Sequence, residues 1–286
     1  MLKRLALYIL LFTVGLLLFI ATVLVVFPAG IIADFVVESV EAETGVSIRY
    51  DSFERVFPFG IEAKGIEIKD RAEGLDFTVD RLRLSLKPAR LFGGRLALLL
   101  DADLLGGSID GIMVFGSSGM SSDLRVRSLR PELFALSKEY AVQIPFALSG
   151  AVNIESSYAE CAEGLVVIES DSGANSGTLS ALGFGLDFGA GAAAGLRATL
   201  KECRAEVKGL WVEGPDLVTR LSGEVLLDSR HPEQSRLDLF AELNDLTLKG
   251  SNRLLLSFLK RYELRQGYYA MEITGTVGRP RIQRQQ

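Results

Sequence analysis

A single histidine, two cysteines and eight prolines in 286 residues leave this chain short of the groups that usually carry chemistry. His231 sits in the polar stretch Asp228-Ser229-Arg230-His231-Pro232-Glu233. A general base needs an orienting acid and a nucleophile held against it, and nothing here indicates a strained elbow or an oxyanion hole, so this stretch reads as an exposed turn. Cys161 and Cys203 supply neither a four-ligand metal site nor a redox pair; they fit one disulfide or two buried thiols. Gly183-x-Gly185 and Gly189-x-Gly191 lack the strand–turn–helix setting and the lysine of a phosphate loop. No polybasic surface exists for nucleic acid, and no acidic run suggests a disordered tail; the net charge of −5 is spread among interspersed charges of both signs. Asp101 and Asp103 share one strand face, where a solvated surface explains them more simply than an acid–base pair. The lone tryptophan, Trp211, lies near Gly209 and Gly214 and reads as a core or rim aromatic rather than a ligand-stacking one. These absences point to a protein that is not an enzyme and needs no metal or cofactor.

Charge is also missing from all 29 positions Leu5–Ala33, between Arg4 and Asp34. Leu5–Phe27 would span roughly 35 Å as a helix, enough to cross a hydrocarbon core of about 30 Å. A secretory signal peptide has a shorter apolar stretch and small residues at its cleavage site, so an uncleaved anchor is expected over residues 1–28. Lys3 and Arg4 precede the span, while Asp34, Glu38, Glu41 and Glu43 follow it. That bias predicts a cytoplasmic N-terminus, with residues 29–286 on the far side of a cell inner membrane, in the periplasm. Pro28–Thr44 reads as a short helix with Ile31, Ile32, Phe35, Val36 and Val40 on one side, capping a sheet end or resting at the membrane interface.

Beyond this point the apolar period becomes two. Ile66 and Ile68 alternate with charges, as do Leu75, Phe77 and Val79, then Leu82, Leu84 and Leu86, with a one-residue slip between Val79 and Leu82 that a bulge or tight turn produces. Arg95–Asp103 puts Leu96, Leu98 and Leu100 on one face, and Ser108–Phe115 continues the pattern. Further strands are expected at Asp123–Arg127, Val142–Ser149, Ala151–Ser156, Gly164–Glu169, Leu196–Lys208, Thr219–Leu227, Arg236–Leu243 and Tyr268–Val277. A weak strand is expected at Ala181–Phe188, inside the Gly/Ala/Ser-rich stretch Ser172–Gly195. Short helices are expected from Pro131 to Lys138 and over Asn252–Lys260, the latter turning Leu255, Phe258 and Leu259 inward. This is mainly antiparallel β, with one apolar and one polar face. The apolar face, including Leu82, Leu84, Leu86, Leu96, Leu98 and Leu100, can be covered by barrel closure or sandwich stacking, or it can curl into a groove for lipid chains. Periodicity leaves these open.

Several segments, in order, resemble one known pattern. Ser52–Ile68 carries a strand, the turn Pro58-Phe59-Gly60 and a second strand running through Gly65. Arg81–Pro88 is followed by Leu91-Phe92-Gly93-Gly94-Arg95-Leu96, and Gly106-Gly107-Ser108-Ile109-Asp110-Gly111 marks the next hairpin. Gly275-Thr276-Val277-Gly278-Arg279-Pro280 closes the chain's last strand. Together these resemble AsmA-like proteins and, by length and the single N-terminal span, the type II secretion system protein N (GspN) family within that superfamily. The resemblance covers most of Ala29–Ile282 and rests on short glycine motifs; the Ser172–Gly195 stretch departs from the regular middle strand pair expected. It implies an inner-membrane protein with a periplasmic AsmA-like β-domain that serves as an accessory to the type II export machinery. The wider superfamily implies a curved sheet able to hold phospholipid acyl chains, and hence lipid transport between membranes. The partners implied are the inner membrane, other type II secretion components and acyl chains.

Overall fold

The computed structural model describes residues 46–70, 75–130, 146–157, 161–171, 177–181, 184–228, 234–247 and 252–284, together with positions 34, 37, 38 and 41, which are helical. The expected anchor, the helix expected from Pro131 to Lys138 and His231 lie outside these residues. Among the described residues no helix is long and apolar enough to cross a membrane.

The strands are β1 (Val46–Arg49), β2 (Ser52–Val56), β3 (Gly60–Asp70), β4 (Leu75–Leu86), β5 (Leu96–Leu104) and β6 (Gly107–Phe115). They continue with β7 (Gly119–Leu129), β8 (Leu148–Ser157), β9 (Glu163–Ser170), β10 (Thr178–Ala181), β11 (Phe184–Asp187) and β12 (Ala193–Lys201). The last six are β13 (Arg204–Glu213), β14 (Leu217–Leu226), β15 (Arg236–Asp245), β16 (Glu263–Arg265), β17 (Tyr268–Thr276) and β18 (Arg279–Arg284). Apart from the small β10–β11 hairpin, they form one 16-stranded antiparallel sheet, a meander with β1 and β2 end to end along β3 and with β16 and β18 both on β17. The first and last strands do not pair with each other, so the sheet is open rather than a barrel. Side chains in the middle of its apolar face, such as Leu84, Leu124 and Val166, are only half-buried, and among the described residues no second sheet covers them.

Local chemistry explains the departures from plain alternation. The slip expected between Val79 and Leu82 is a bulge at Asp80, where the β4–β5 register shifts between Val79 and Arg81. β3 slips in step at Gly65, whose φ of +60° suits glycine, and a Cβ there would stand 2.0 Å from Asp51 Oδ2. Leu196–Lys208 is not one strand: a two-residue turn at Glu202 and Cys203, both at positive φ, folds it into the β12–β13 hairpin. Cys203 therefore sits in a turn and does not share a face with Ala205 and Val207. Ala181–Phe188 is likewise divided, contributing to both arms of β10–β11. In the helix Arg253–Phe258, Leu256 is buried but Phe258 is 69% exposed, the reverse of the inward role expected for Phe258.

The core follows one rim of the sheet. Ile66, Val79, Ala102, Leu104 and Leu105 form one buried cluster. Phe146, Phe188, Leu217, Leu243, Leu256 and Tyr269 form the other. All of these lie toward the same ends of their strands, here termed the lower rim. Burial of Phe146, Phe188 and Leu217, each at most 1% exposed, contributes about 1.5–3 kcal/mol per side chain. Asn252 fastens the rim: its Oδ1 accepts from the Asp187 amide and its Nδ2 donates to the Asp187 carbonyl, both at 2.7 Å. The opposite, upper rim carries the turns β2–β3, β4–β5, β6–β7, β8–β9, β12–β13 and β14–β15.

Candidate functional site

The pairing register places apolar side chains in continuous rows along the long axis of the sheet. One row runs Ala63, Leu82, Ala102, Ile109, Val126, Gly150, Ile168, Leu196, Leu210, Leu221, Ala241 and Met271, crossing 12 strands without a polar residue. At about 4.8 Å per strand it is roughly 50 Å long. A second row, from Ile61 through Leu84, Leu100, Leu124, Val152, Val166, Ala198, Val207, Leu239 and Ile273 to Ile282, is equally free of polar groups. A bulge between Val207 and Leu210 keeps both on the apolar face, where alternation alone would have separated them. The third row, Leu86, Leu98, Met113, Ser122, Ile154, Leu200, Ala205, Val225 and Leu237 among its members, has Ser122 as its single polar side chain.

The track deepens toward its C-terminal half into an apolar cavity of about 470 Å³, lined by Leu148, Ile168, Leu196, Leu210, Leu221 and Met271. Leu210 is 43% exposed on this floor. Exposed apolar area on this scale usually marks a surface with an apolar partner. No ionisable side chain projects from the three rows between β3 and β17.

The other face carries the charge. Arg81 Nε donates to Asp103 Oδ2 at 2.7 Å and its Nη2 to Asp101 Oδ1 at 3.4 Å. That places the two carboxylates in a solvated ion-pair cluster, and the hydrogen bond to Asp103 followed by the charge of Asp101 raises the guanidinium pKa. Arg204–Glu224 at 2.7 Å, Arg127–Asp110 at 2.8 Å and Arg220–Glu213 at 2.6 Å continue the pattern across strands. Exposed pairs of this kind contribute about 0–1 kcal/mol each and mark a water-facing surface. Tyr268 donates to Glu242, and this bond, followed by burial, raises the phenol pKa. Trp211 stacks over Gly195, where a Cβ would come within 2.6 Å of the ring. A hollow of about 520 Å³ on this face offers Ser121, Asp123, Glu155 and Glu163, with no histidine or lysine to activate them. Among the described residues no cluster of His, Cys, Asp or Glu is arranged to hold a metal ion.

Leu82, Leu84, Leu86, Leu96, Leu98 and Leu100 all stand on the apolar face, but the cavity lies several strands further along. Leu148, Ile168, Leu196, Leu221 and Met271 each belong to an alternating segment legible in the sequence, whereas Leu210 lies beyond the expected strand Leu196–Lys208; their alignment into one row depends on registers that the sequence does not encode locally.

Cys161, just ahead of β9, and Cys203, in the β12–β13 turn, form a disulfide with Cα atoms 4.8 Å apart. The bond staples the upper ends of β9 and β12, opposite the lower rim at which the chain between these strands leaves the sheet. Closing a loop across a separation of 42 residues restricts the unfolded chain by about 4 kcal/mol on an entropy estimate whose mechanism is debated. Thiol labelling of the denatured, unreduced protein should therefore find no reactive thiol, and labelling after reduction should find two; two thiols without reductant would rule the bond out.

Comparison with family models, with curated proteins and with solved structures finds no match to this chain.

Proposed function

We propose that the protein is a non-enzymatic, inner-membrane-anchored periplasmic protein that holds phospholipid acyl chains along the apolar face of its sheet, as AsmA-like lipid carriers would. The observation that carries this reading is the set of uninterrupted apolar rows on an open sheet. A methylene chain needs no hydrogen bonds, so a floor whose one polar side chain is Ser122 lets it lie along the track and slide without breaking a specific contact. The cavity between β8 and β17 supplies a deeper seat. The anchor expected at Leu5–Phe27 would keep the groove beside a source of lipid.

The full chain, extracted in mild detergent and analysed by lipid mass spectrometry, should carry phospholipid well above a single-pass control membrane protein. Equal lipid content in the two would sink the reading. The ordered glycine motifs favour a second role, as an accessory of type II secretion. In that case a deletion strain loses export of folded substrates while its outer-membrane phospholipid content stays unchanged; the lipid reading expects the opposite.

A further inference from the structure

The upper rim has one corner unlike the rest. Between Val56 and Gly60, which pair across the β2–β3 hairpin, the chain turns through Phe57-Pro58-Phe59. Beside it, the β4–β5 connection makes the 3-10 turn Pro88–Gly93. The two loops are tied together, since the Leu86 amide donates to the Phe59 carbonyl at 2.8 Å. Their apolar side chains point to solvent: Phe57 is 91% exposed, Leu91 47% and Phe59 42%. Exposed Lys87, Arg90 and Arg95 lie in and beside the β4–β5 connection, and none of the three makes a salt bridge among the described residues. The sequence has no carboxylate between Glu54 and Glu62 or between Arg83 and Asp101.

We infer that this corner is a membrane-docking tip that inserts Phe57, Phe59 and Leu91 into an anionic lipid surface. The alternatives are disfavoured by the composition. A folding role does not explain a phenylalanine left 91% in water. A solubilising loop would hold neither three large apolar side chains nor charge of one sign. Apolar tips with a basic collar match the two layers of an anionic interface: the rings enter the acyl boundary while Lys and Arg stay at the headgroups. The tip also stands at the upper end of β4 and β5, beside Leu86 and Leu98, where the third apolar row begins. A bilayer docked here would meet the groove at its open rim. The tip itself does not depend on the groove holding lipid.

The test uses the full chain with its anchor wrapped in a nonionic amphipol, mixed with vesicles and floated. Vesicles of phosphatidylcholine containing about one-third phosphatidylglycerol should capture about tenfold more protein than phosphatidylcholine alone, with the difference shrinking as salt rises. Phe57→Ser with Phe59→Ser, and separately Lys87→Gln with Arg90→Gln and Arg95→Gln, should bring capture down to the level of neutral vesicles. Leu91→Ser alone should lower it in part, which keeps the test usable if the aromatic pair proves necessary for folding. Wild-type protein that shows no preference for the anionic vesicles, or variants that bind like wild type, would overturn the inference. Co-purified lipid measured in the same samples reports on the groove: loss of vesicle capture with bound lipid retained separates the failure of one reading from that of the other.

Discussion

Replacing Gly150 by valine is expected to prevent the sheet from closing in its middle, and replacing it by alanine to destabilise the protein by about 3 kcal/mol or more. Gly150 lies in β8 opposite Ile168 of β9 and Val126 of β7. A Cβ at this position would stand 2.0 Å from the Val167 carbonyl oxygen and 2.7 Å from the Ile168 Cα. Both are backbone atoms, so no rotamer change relieves the clash; the strands must move apart, and their ladder hydrogen bonds weaken with them. The same close approach recurs at Gly111 against the Asp123 carbonyl, at 2.1 Å. Denaturant unfolding of the detergent-solubilised full chain, followed by far-UV circular dichroism, measures the effect. Gly116→Ala is the control, because a Cβ there meets nothing nearer than 3.7 Å, and its cost should stay within about 0.5 kcal/mol. Equal midpoints for Gly150→Ala and Gly116→Ala would show that the strands do not approach this closely.

The second large effect concerns the groove. Ile168→Glu combined with Leu221→Glu should cut co-purified phospholipid by about tenfold while the protein stays folded, because a carboxylate in acyl surroundings is costly but one facing water is not. Both residues are half-buried on the cavity floor, on either side of Leu196 and Leu210 in the same row. In an open groove emptied of lipid, the new carboxylates remain hydrated. Were the face instead closed in solution, the same double variant would bury two unpaired charges and unfold. Leu165→Glu, on the opposite face at 42% exposure, should leave lipid content unchanged. Full lipid content in a folded Ile168/Leu221 variant would remove the basis for the acyl-chain reading. The rows carry no titratable group, so lipid retention in wild-type protein should not follow the ionisation of Arg81, Arg220 or Tyr268, all of which belong to the other face.

Strand identity and facing were local matters, settled by alternation. The segment Leu82–Leu86 announced its apolar face because side chains on a strand alternate, and the slip after Val79 announced a bulge or a tight turn, of which the structure has the bulge. The shared face of Leu82, Leu84, Leu86, Leu96, Leu98 and Leu100 followed from the same rule; their half-burial, with Leu96 more exposed, did not. The sequence did not separate one strand from two where a turn used ordinary residues. Glu202 and Cys203 adopt left-handed backbone without being glycine, so nothing in Leu196–Lys208 marked the hairpin. The helix Arg253–Phe258 was legible as a helix, but its inward side was not, since Leu256 and Phe258 differ in burial only through what lies beneath them.

Periodicity thus determined by itself that this chain makes long amphipathic antiparallel strands, with charge on one side and aliphatic residues on the other, behind an uncharged N-terminal run. Only the tertiary structure decided what those strands enclose. Whether an apolar face is sealed or left open depends on pairings between distant segments: β9 with β12 across the β10–β11 excursion, and the first and last strands remaining apart. An alternating strand satisfies its local preferences equally in a barrel, a sandwich or an open sheet, because each buries the same side chains against different partners. The choice lies in register and twist, which here rest on backbone approaches such as Gly150 on Val167 and on the staple between Cys161 and Cys203.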